Sequence, residues 1–507
     1  MKITRFSAAL VTILSVTAAS CKTDLTGINV NPNSPTTAPA GSLFSQASVN
    51  AIGRYLGAGQ LSGTALMAQH LAQVQYLDED RGHIRATTID NMYTNSYISE
   101  QEDFEKIIAQ GKASSSPNIW GPAVVMQSWG YQNLTDIFGD IPYSEALKGD
   151  IPDGPLKPKY DAQKDIYYGL LASLTTASTA MKTATDAGFG SADIVFKGNS
   201  ARWVKFANSL RARMAMRISK ADPAKAATEL TAAFAGGLMT SNSDNAILAY
   251  PGDGIFDNGY SNNFSTRDDH RVSKTLLDTM SALSDPRVKV YAQPTRWDPV
   301  TNAVWANPAD ARAIGLQNGM DNGTVAPFFN TTSRVGAIFY PGATVYGTFG
   351  TSAGKKTPAV LMTYAEVEFL AAEAAERGLG GQSGAAAHYA AGVTASITQR
   401  GGTADEAAAY LARAGVAYVP GATGLKQIGL QKWISMFTQG GEAWAEWRRT
   451  GNPASIKMGP KAYSDVLEVP RRWPYASNEQ TVNAVARAEA VARQGPDTYA
   501  TRMWWDK

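Results

Sequence analysis

Gly350-Thr351-Ser352-Ala353-Gly354 matches G-x-S-x-G, the turn that presents a nucleophilic serine in many hydrolases. That chemistry needs a buried strand before the serine, a helix after it, and an acid and then a histidine downstream. Here Lys355-Lys356-Thr357-Pro358 follows, and Pro358 blocks an immediate helix. The one downstream histidine, His388, lies inside an Ala-rich helical segment. A Gly/Thr/Ser-rich loop is the simpler reading. Asp268, Asp269 and Asp298 are candidates for the carboxylate pair of glycoside hydrolysis, which must sit roughly 5–10 Å apart. Spacing along the chain does not set that distance. The Asp-, Asn- and Gly-rich stretch 252–269 has the oxygen ligands of a hard cation such as a structural calcium. Its run DGIFDNGYSNN lacks the EF-hand register, so turns are expected there and no cofactor is called for. With four histidines (His70, His83, His270, His388), a His-rich metal site is not expected either. These residues do not make the chain an enzyme.

Cys21 is the only cysteine, so no intramolecular disulfide can form. The residues before it have the form of an export signal. Lys2 and Arg5 give a positive start, Phe6 to Ala19 an apolar stretch, and Ala18-Ala19-Ser20 a small-residue end. Cleavage after Ser20 leaves Cys21 at the mature N-terminus. Small residues before a Cys resemble the lipobox of bacterial lipoproteins, although Ala18 stands where Leu is commoner. Acylation of Cys21 would anchor the chain to a membrane surface. Residues 21–42, rich in Thr, Asn and Pro, read as a lipidated tether. No later stretch offers ~18 consecutive apolar residues.

The chain has 507 residues, 46 Lys+Arg against 44 Asp+Glu, 44% hydrophobic residues and 18% charged ones. That is enough apolar material for a large core. The near-zero charge excludes the basic excess of a nucleic-acid binder and the acidic excess of a disordered chain. Removing residues 1–20 takes out Lys2 and Arg5 and leaves no net charge.

The elements that must position any site are mostly helical. The body is expected over 43–507, beginning with a helix pair at 43–75. Further helices are expected at 92–111, 119–134, 162–184, 202–219 and 223–235, each with one apolar stripe. Residues 240–356 change to Gly, Asn, Asp, Pro and aromatics, with one helical period near 272–283. Helices return at 363–378, 384–400, 404–414, 425–449 and 479–493. The pair 363–378/384–400 is close to a tetratricopeptide spacing. The expected fold is therefore mainly α, with tetratricopeptide-like helix pairs and an irregular, loop-rich lobe at 240–356. Trp433, Phe437, Trp444 and Trp447 are expected in the core. Glu366, Glu368, Glu373 and Glu376 are expected on a solvated helix face. Arg202, Lys205 and Arg213 are expected opposite the apolar stripe of their helix.

Several stretches together resemble the SusD/RagB-type outer-membrane lipoproteins, in their SusD-like branch. They are NVNPNSPT (29–36), YQNLTDIFGDIPYSEAL (131–147), PKYDAQKDIYYGLLASL (158–174) and FKGNSARWVKFANSLRARMAMRIS (196–219). They continue with SDPRVKVYAQP (284–294), LMTYAEVEFLAAEAAERG (361–378), IGLQKWISMFTQGGEAWAEWRRTG (428–451) and VPRRWPY (469–475). The resemblance runs nearly end to end. It implies a surface lipoprotein of the outer membrane that captures a glycan or other nutrient. It also implies a partner, a SusC-like TonB-dependent β-barrel that such a protein covers as a lid. The alternative is a secreted glycan-processing hydrolase on the same scaffold.

Sugars offer apolar C–H faces and a fringe of hydroxyls. Aromatic rings stack on the first, and Asp, Asn and Arg bond the second. The resemblance implies a ligand site built from two broad regions. One is Tyr76-Leu77-Asp78-Glu79-Asp80-Arg81 with Tyr93 downstream. The other is the lobe, with Tyr260, Arg267, Asp268, Trp297, Trp305 and Tyr340. The ligand-contact candidates are Trp297, Trp305, Tyr260, Arg267, Asp268, Tyr76, Asp78, Arg81, Tyr93 and Tyr340. For each aromatic the competing role is to anchor its own loop.

Overall fold

Helices form where the apolar stripes predict them, and local chemistry sets their ends. The computed structural model describes residues 38–340 and 352–507, and residues 40–507 form one unit. The export signal, Cys21 and the segment up to 37 lie outside the described residues. The first helix is Ala40–Leu56, with Phe44, Ala47, Ala51, Ile52 and Tyr55 buried along one face. Asn199 caps Ser200–Arg217 through the Arg202 amide, and Asp222 caps Pro223–Gly236 through the Lys225 amide. Thr403 and Glu406 close a capping box on Ala404–Leu411.

Consecutive helices pack against one another. Glu102–Ala113, Pro117–Phe138, Gln163–Lys182, Ser200–Arg217 and Pro223–Gly236 each pack on the next. Tyr364–Glu376 pairs with Ala385–Gln399 in the second half. There Gly392 lets the Phe369 ring approach so closely that a Cβ would stand 2.9 Å from it. This is the expected mainly α, tetratricopeptide-like architecture. Six tryptophans are fully buried: Trp129, Trp203, Trp433, Trp444, Trp473 and Trp505. Trp433 and Trp444 donate their indole N–H groups to the Ala68 and Pro470 carbonyls, both at 2.8 Å.

Four expected elements differ, one being the span 479–493, which divides at Asn483 into Glu479–Val482 and Ala484–Gln494. The span 43–75 is one long helix, a short Thr64–Met67 helix and a strand at Leu71–Gln73. The span 92–111 starts earlier, at Ala86, and contains a wider turn over Tyr97–Gln101 before continuing to Ala113. The span 425–449 breaks into Ala422–Ser435 and Gly440–Thr450. At that break Thr438 takes φ +80° and Phe437 stacks on Tyr291 at 4.3 Å. Gly440 lies against the Ala65 backbone, where a Cβ would come within 2.6 Å of a main-chain nitrogen.

The carboxylates expected on a solvated face are instead paired, two of them deep inside. Glu366 and Glu373 stand seven residues apart, two helical turns on one face. Arg213 grips Glu366 with two bonds of 2.6 and 2.7 Å, and Arg449 grips Glu373 with two of 2.7 and 2.5 Å. Arg217 reaches Glu442 at 2.5 Å, and Lys432 and Arg449 both hold Glu446. Burial opposes the charge on Glu446, but Arg449, Lys432 and Arg217 outweigh it and hold the carboxyl well below its ordinary range. Glu368 accepts from His388 at 2.7 Å, and Glu376 accepts from Tyr418 and from the Gly421 amide. Arg213 is therefore an interior residue, while Arg202 and Lys205 stay nearer the surface.

The described strands form four short antiparallel pairs. Two of them matter for position. Leu71–Gln73 pairs with His270–Val272, in register Leu71 to Val272. Ala246–Leu248 pairs with Ala359–Met362, so the lobe leaves and re-enters the body at one place.

Candidate ligand-binding surface

The three-residue ladder between Leu71–Gln73 and His270–Val272 joins the two regions expected to form a site. The ladder continues one bond further, from the Val74 amide to the Asp269 carbonyl at 2.8 Å. The chain then turns outward at Tyr76, which takes φ +55° and leaves its side chain 55% exposed. A tyrosine in that left-handed region is uncommon and marks a constrained loop. The Arg267 guanidinium lies 4.8 Å from the Tyr76 ring centroid and that of Arg85 lies 5.9 Å away. Both cations are themselves held, Arg267 by Asp269 at 2.5 Å and Arg85 by Glu79.

Asp80 fastens the loop from inside. Its carboxylate accepts from the Gln73 amide (3.2 Å), the Gly319 amide (3.1 Å) and the Asn318 side chain (2.7 Å). Burial nevertheless pushes its carboxyl up to about 6. Leu77 packs with Ala72, Val74, Leu316, Met320 and Val325 in a small core under this surface.

Asp78 and Arg81 lie on the same loop and reach a segment the sequence reading did not name. Tyr463 donates its hydroxyl to Asp78. Its ring has Arg81 at 4.0 Å and His83 stacked at 4.1 Å. Arg81 also donates to the Lys461 carbonyl at 2.6 Å, and His83 pairs with Asp465 at 2.8 Å. The polar run 459–465, with one tyrosine between Lys and Asp, is the same kind of signal that singled out 76–81.

In the lobe, Asp268 is an internal anchor. It bonds Arg334 at 2.5 Å and Arg271 at 2.8 Å, and Arg271 donates onward to the Phe329 carbonyl at 2.7 Å. This chain of bonds fixes the backbone at Phe329, next to Phe328, which is 38% exposed. Trp297 is half-buried on the hairpin Trp297–Asp298/Ala303–Val304, and its amide donates to the Asn330 carbonyl at 3.1 Å. Its indole N–H is buried without an acceptor among the described residues. Trp305 is half-buried too, but its indole N–H donates to the Thr295 carbonyl at 3.0 Å, which is the loop-anchoring role.

Three expected contact residues are not on exposed loops. Tyr260, Tyr340 and Tyr93 are 2%, 4% and 3% exposed. Tyr260 and Phe264 stand four apart on the helix Gly259–Thr266 and face inward, with Tyr260 stacked on Phe339 at 5.2 Å. Tyr340 donates to the Phe264 carbonyl at 3.0 Å and Tyr93 to the Tyr160 hydroxyl at 2.8 Å. Burial raises all three phenols above their ordinary range.

The surface that results carries one well-exposed ring, Tyr76, with flanking guanidinium and carboxylate groups, while the lobe also has partly exposed Phe328 and Trp297. Such a set can stack on an apolar ring face and bond its hydroxyl fringe. Every carboxylate weighed for acid–base work is already committed. Asp268 and Asp269 hold arginines, and Asp298 accepts from the Val300 amide at 3.0 Å. Asp253 and Asp257 close turns through the Ile255, Phe256 and Gly254 amides. Among the described residues no group of three or more His, Cys, Asp or Glu converges on a metal position. Gly350 and Thr351 lie outside the described residues. From Ser352 the chain makes a short 3-10 turn to Lys356 rather than the long helix of a nucleophile turn.

A family model described as starch-binding, associating with outer membrane, matches residues 32–476. Among solved structures, a chitin-binding protein is 29% identical with a TM-score of 0.79, covering 92% of this chain and 100% of its own. A chitin-binding SusD homologue from Flavobacterium johnsoniae is 25% identical with a TM-score of 0.77, covering 92% and 98%. A SusD homologue from Bacteroides uniformis ATCC 8492 is 25% identical with a TM-score of 0.77, covering 92% and 99%. No curated protein matches. No helix among the described residues is long and apolar enough to cross a membrane.

Proposed function

The chain belongs to the SusD-like family, and from that premise we propose that it is a glycan-binding lipoprotein of the outer-membrane surface. It holds its ligand on the surface around Tyr76 and passes it to a SusC-like TonB-dependent β-barrel. Cys21 carries the lipid, and the tether that follows lifts the body from the membrane. The relatives described as chitin-binding make a β-linked, N-acetylated glucan the first ligand to try.

One observation carries the binding role. Tyr76 is an aromatic ring, more than half exposed, on a loop whose backbone is fixed by the buried Asp80 and whose ring is bracketed by Arg267 and Arg85. A rigid exposed ring loses little entropy on binding and gives a sugar face something flat to rest on. The protein acts as a binder and not a hydrolase on this reading, because each candidate carboxylate is already bonded to an arginine or to main-chain amides.

Isothermal titration with chito- and malto-oligosaccharides tests it. Tyr76→Ala should weaken the preferred oligosaccharide by tenfold or more, the loss of a binding hot spot of about 1.4 kcal/mol or greater. The circular dichroism should not change. Incubated oligosaccharides should keep their chain-length profile. An unchanged affinity in Tyr76→Ala would remove the ring from the site, and shortened chains would replace binding by hydrolysis.

A further inference from the structure

A separate cavity, none of whose lining residues belongs to this surface, lies against the helix Ala86–Ser96. It has a volume of about 240 Å³ and is walled by Tyr93, Tyr97, Ile98, Leu147, Pro142 and Pro158. Two backbone irregularities shape it. The wide turn Tyr97–Gln101 interrupts an otherwise continuous helix and turns Ile98 outward, 64% exposed, at the rim. Leu147, also in the wall, takes φ +62°, a conformation a leucine rarely adopts. Wide helical turns and strained non-glycine residues concentrate at functional sites.

Glu479 stands in the cavity wall and is 9% exposed. One of its oxygens accepts from Tyr160 at 2.5 Å, and Tyr160 accepts in turn from Tyr93 at 2.8 Å. Its other oxygen accepts no hydrogen bond, and no Lys, Arg or His forms an ion pair with it among the described residues. The cation that acts on it from further off, Arg487, is engaged by Asp497 at 2.6 Å. Burial raises this carboxyl above its ordinary range, opposed by the Tyr160 bond and by Arg487, and an incoming cation would favour its charged form. Nearby, Asn483 is spent on the Pro158 carbonyl at 2.7 Å, while the exposed Asn478 stands at the rim.

We propose that this cavity is a second binding site, for a single six-membered ring that carries a protonated amine, of which a hexosamine unit is one example. The ammonium meets the free oxygen of Glu479. The ring lies between the tyrosine and proline walls, and its polar edge faces Asn478. The size agrees, because the volume falls below the ~300–1,000 Å³ of pockets for larger ligands. The site is independent of the Tyr76 surface and shares no residue with it.

The test uses the full mature protein, titrated with D-glucosamine, N-acetyl-D-glucosamine and cyclohexylamine and followed by ligand-observed NMR. Glucosamine should bind at least tenfold more tightly than N-acetylglucosamine, which keeps the ring and lacks the charge. Glu479→Gln, which keeps the Tyr160 bond, should weaken glucosamine at least tenfold. Ile98→Trp, a change at an exposed rim position, should block it without touching Glu479. Equal binding of cyclohexylamine would mean that ring and charge suffice; binding of glucosamine alone would make the ligand an amino sugar. Tyr76→Ala should leave all of this unchanged, so loss of one site does not count against the other. The assignment fails if neither amine binds, or if glucosamine binds both Glu479→Gln and Ile98→Trp as tightly as the parent.

Discussion

Trp297 and Trp305 sit eight residues apart in similar loop sequence, yet they meet different partners. Trp305 hands its N–H to Thr295 and so ties its hairpin to the lobe. Trp297 finds no acceptor for its N–H among the described residues and is only half-buried. Trp305→Ala should therefore lower stability by about 1–3 kcal/mol in urea denaturation, with a smaller effect on ligand. Trp297→Ala should do the reverse, costing several-fold in oligosaccharide affinity with little change in the unfolding midpoint. If both act only on stability, Trp297 does not touch ligand. At this scale the sequence is a partial guide. Tyr76 and Tyr93 both lie among polar neighbours, and only tertiary packing sends one to solvent and the other into the core. The same holds for Glu366 and Glu373, since two carboxylates on one helix face read alike whether water or arginine meets them.

At the scale of elements, the short ladder between Leu71–Gln73 and His270–Val272 is what assembles the surface. It is three residues long on each side and has no periodic signature, so the convergence of 76–81 with 267–271 could not be read from the chain. The helices could, because fifteen or so residues of 3.6-residue period carry their own evidence. The break at Phe437–Gln439 had one sequence signal, the adjacent Gly440-Gly441, which an unbroken apolar pattern on either side masks.

His270 makes the ladder sensitive to acid. Burial lowers its imidazole to about 4, and its Nε2 lies 2.9 Å from the Leu61 carbonyl. The unfolded chain takes up this proton near 6.5, and the folded chain only near 4. Its contribution is thus complete above 6.5 and is lost as pH falls toward 4, on the order of 3 kcal/mol in all. Asp80, pushed up to about 6, works the other way, favouring the fold as pH falls through that value. His270→Gln should flatten the acid limb of the stability profile between pH 6.5 and 4. An unaltered limb would mean that other groups, His70 among them, set it.

Between helices, the buried ion pairs join segments distant in sequence. Arg213 links Ser200–Arg217 to Tyr364–Glu376, and Arg449 links Gly440–Thr450 to the same helix. Arg213→Met leaves Glu366 buried with its main partner gone and should cost about 3–5 kcal/mol. The double change Arg213→Met, Glu366→Leu should recover much of that loss, as thermal unfolding of the single and double variants would reveal. A double variant no more stable than the single one would show that the pair is also needed by its other neighbours, Glu442 and Arg217.

At the scale of the whole molecule, the proposed role requires a partner that the chain itself does not contain. A tagged, lipidated protein purified from outer membrane in mild detergent should bring down a large β-barrel in near-equal amount. Cys21→Ala should shift the protein away from the membrane fraction. Recovery of the lipidated protein alone would remove the delivery step and leave the binder.

The pairing of Ala246–Leu248 with Ala359–Met362 has an evolutionary consequence. The lobe begins and ends one strand spacing apart, about 4.8 Å, and lends Leu276, Met280 and Tyr291 to the main core of the helices. Changing the length of such a segment alters closure entropy slowly, by about 0.6 kcal/mol per doubling. The lobe's exposed loops can therefore change length at small cost, while the residues it lends to the shared core cannot change freely. The limit on that freedom is equally physical. Any replacement must still offer a strand to Leu71–Gln73, because that ladder ties the lobe to the frame.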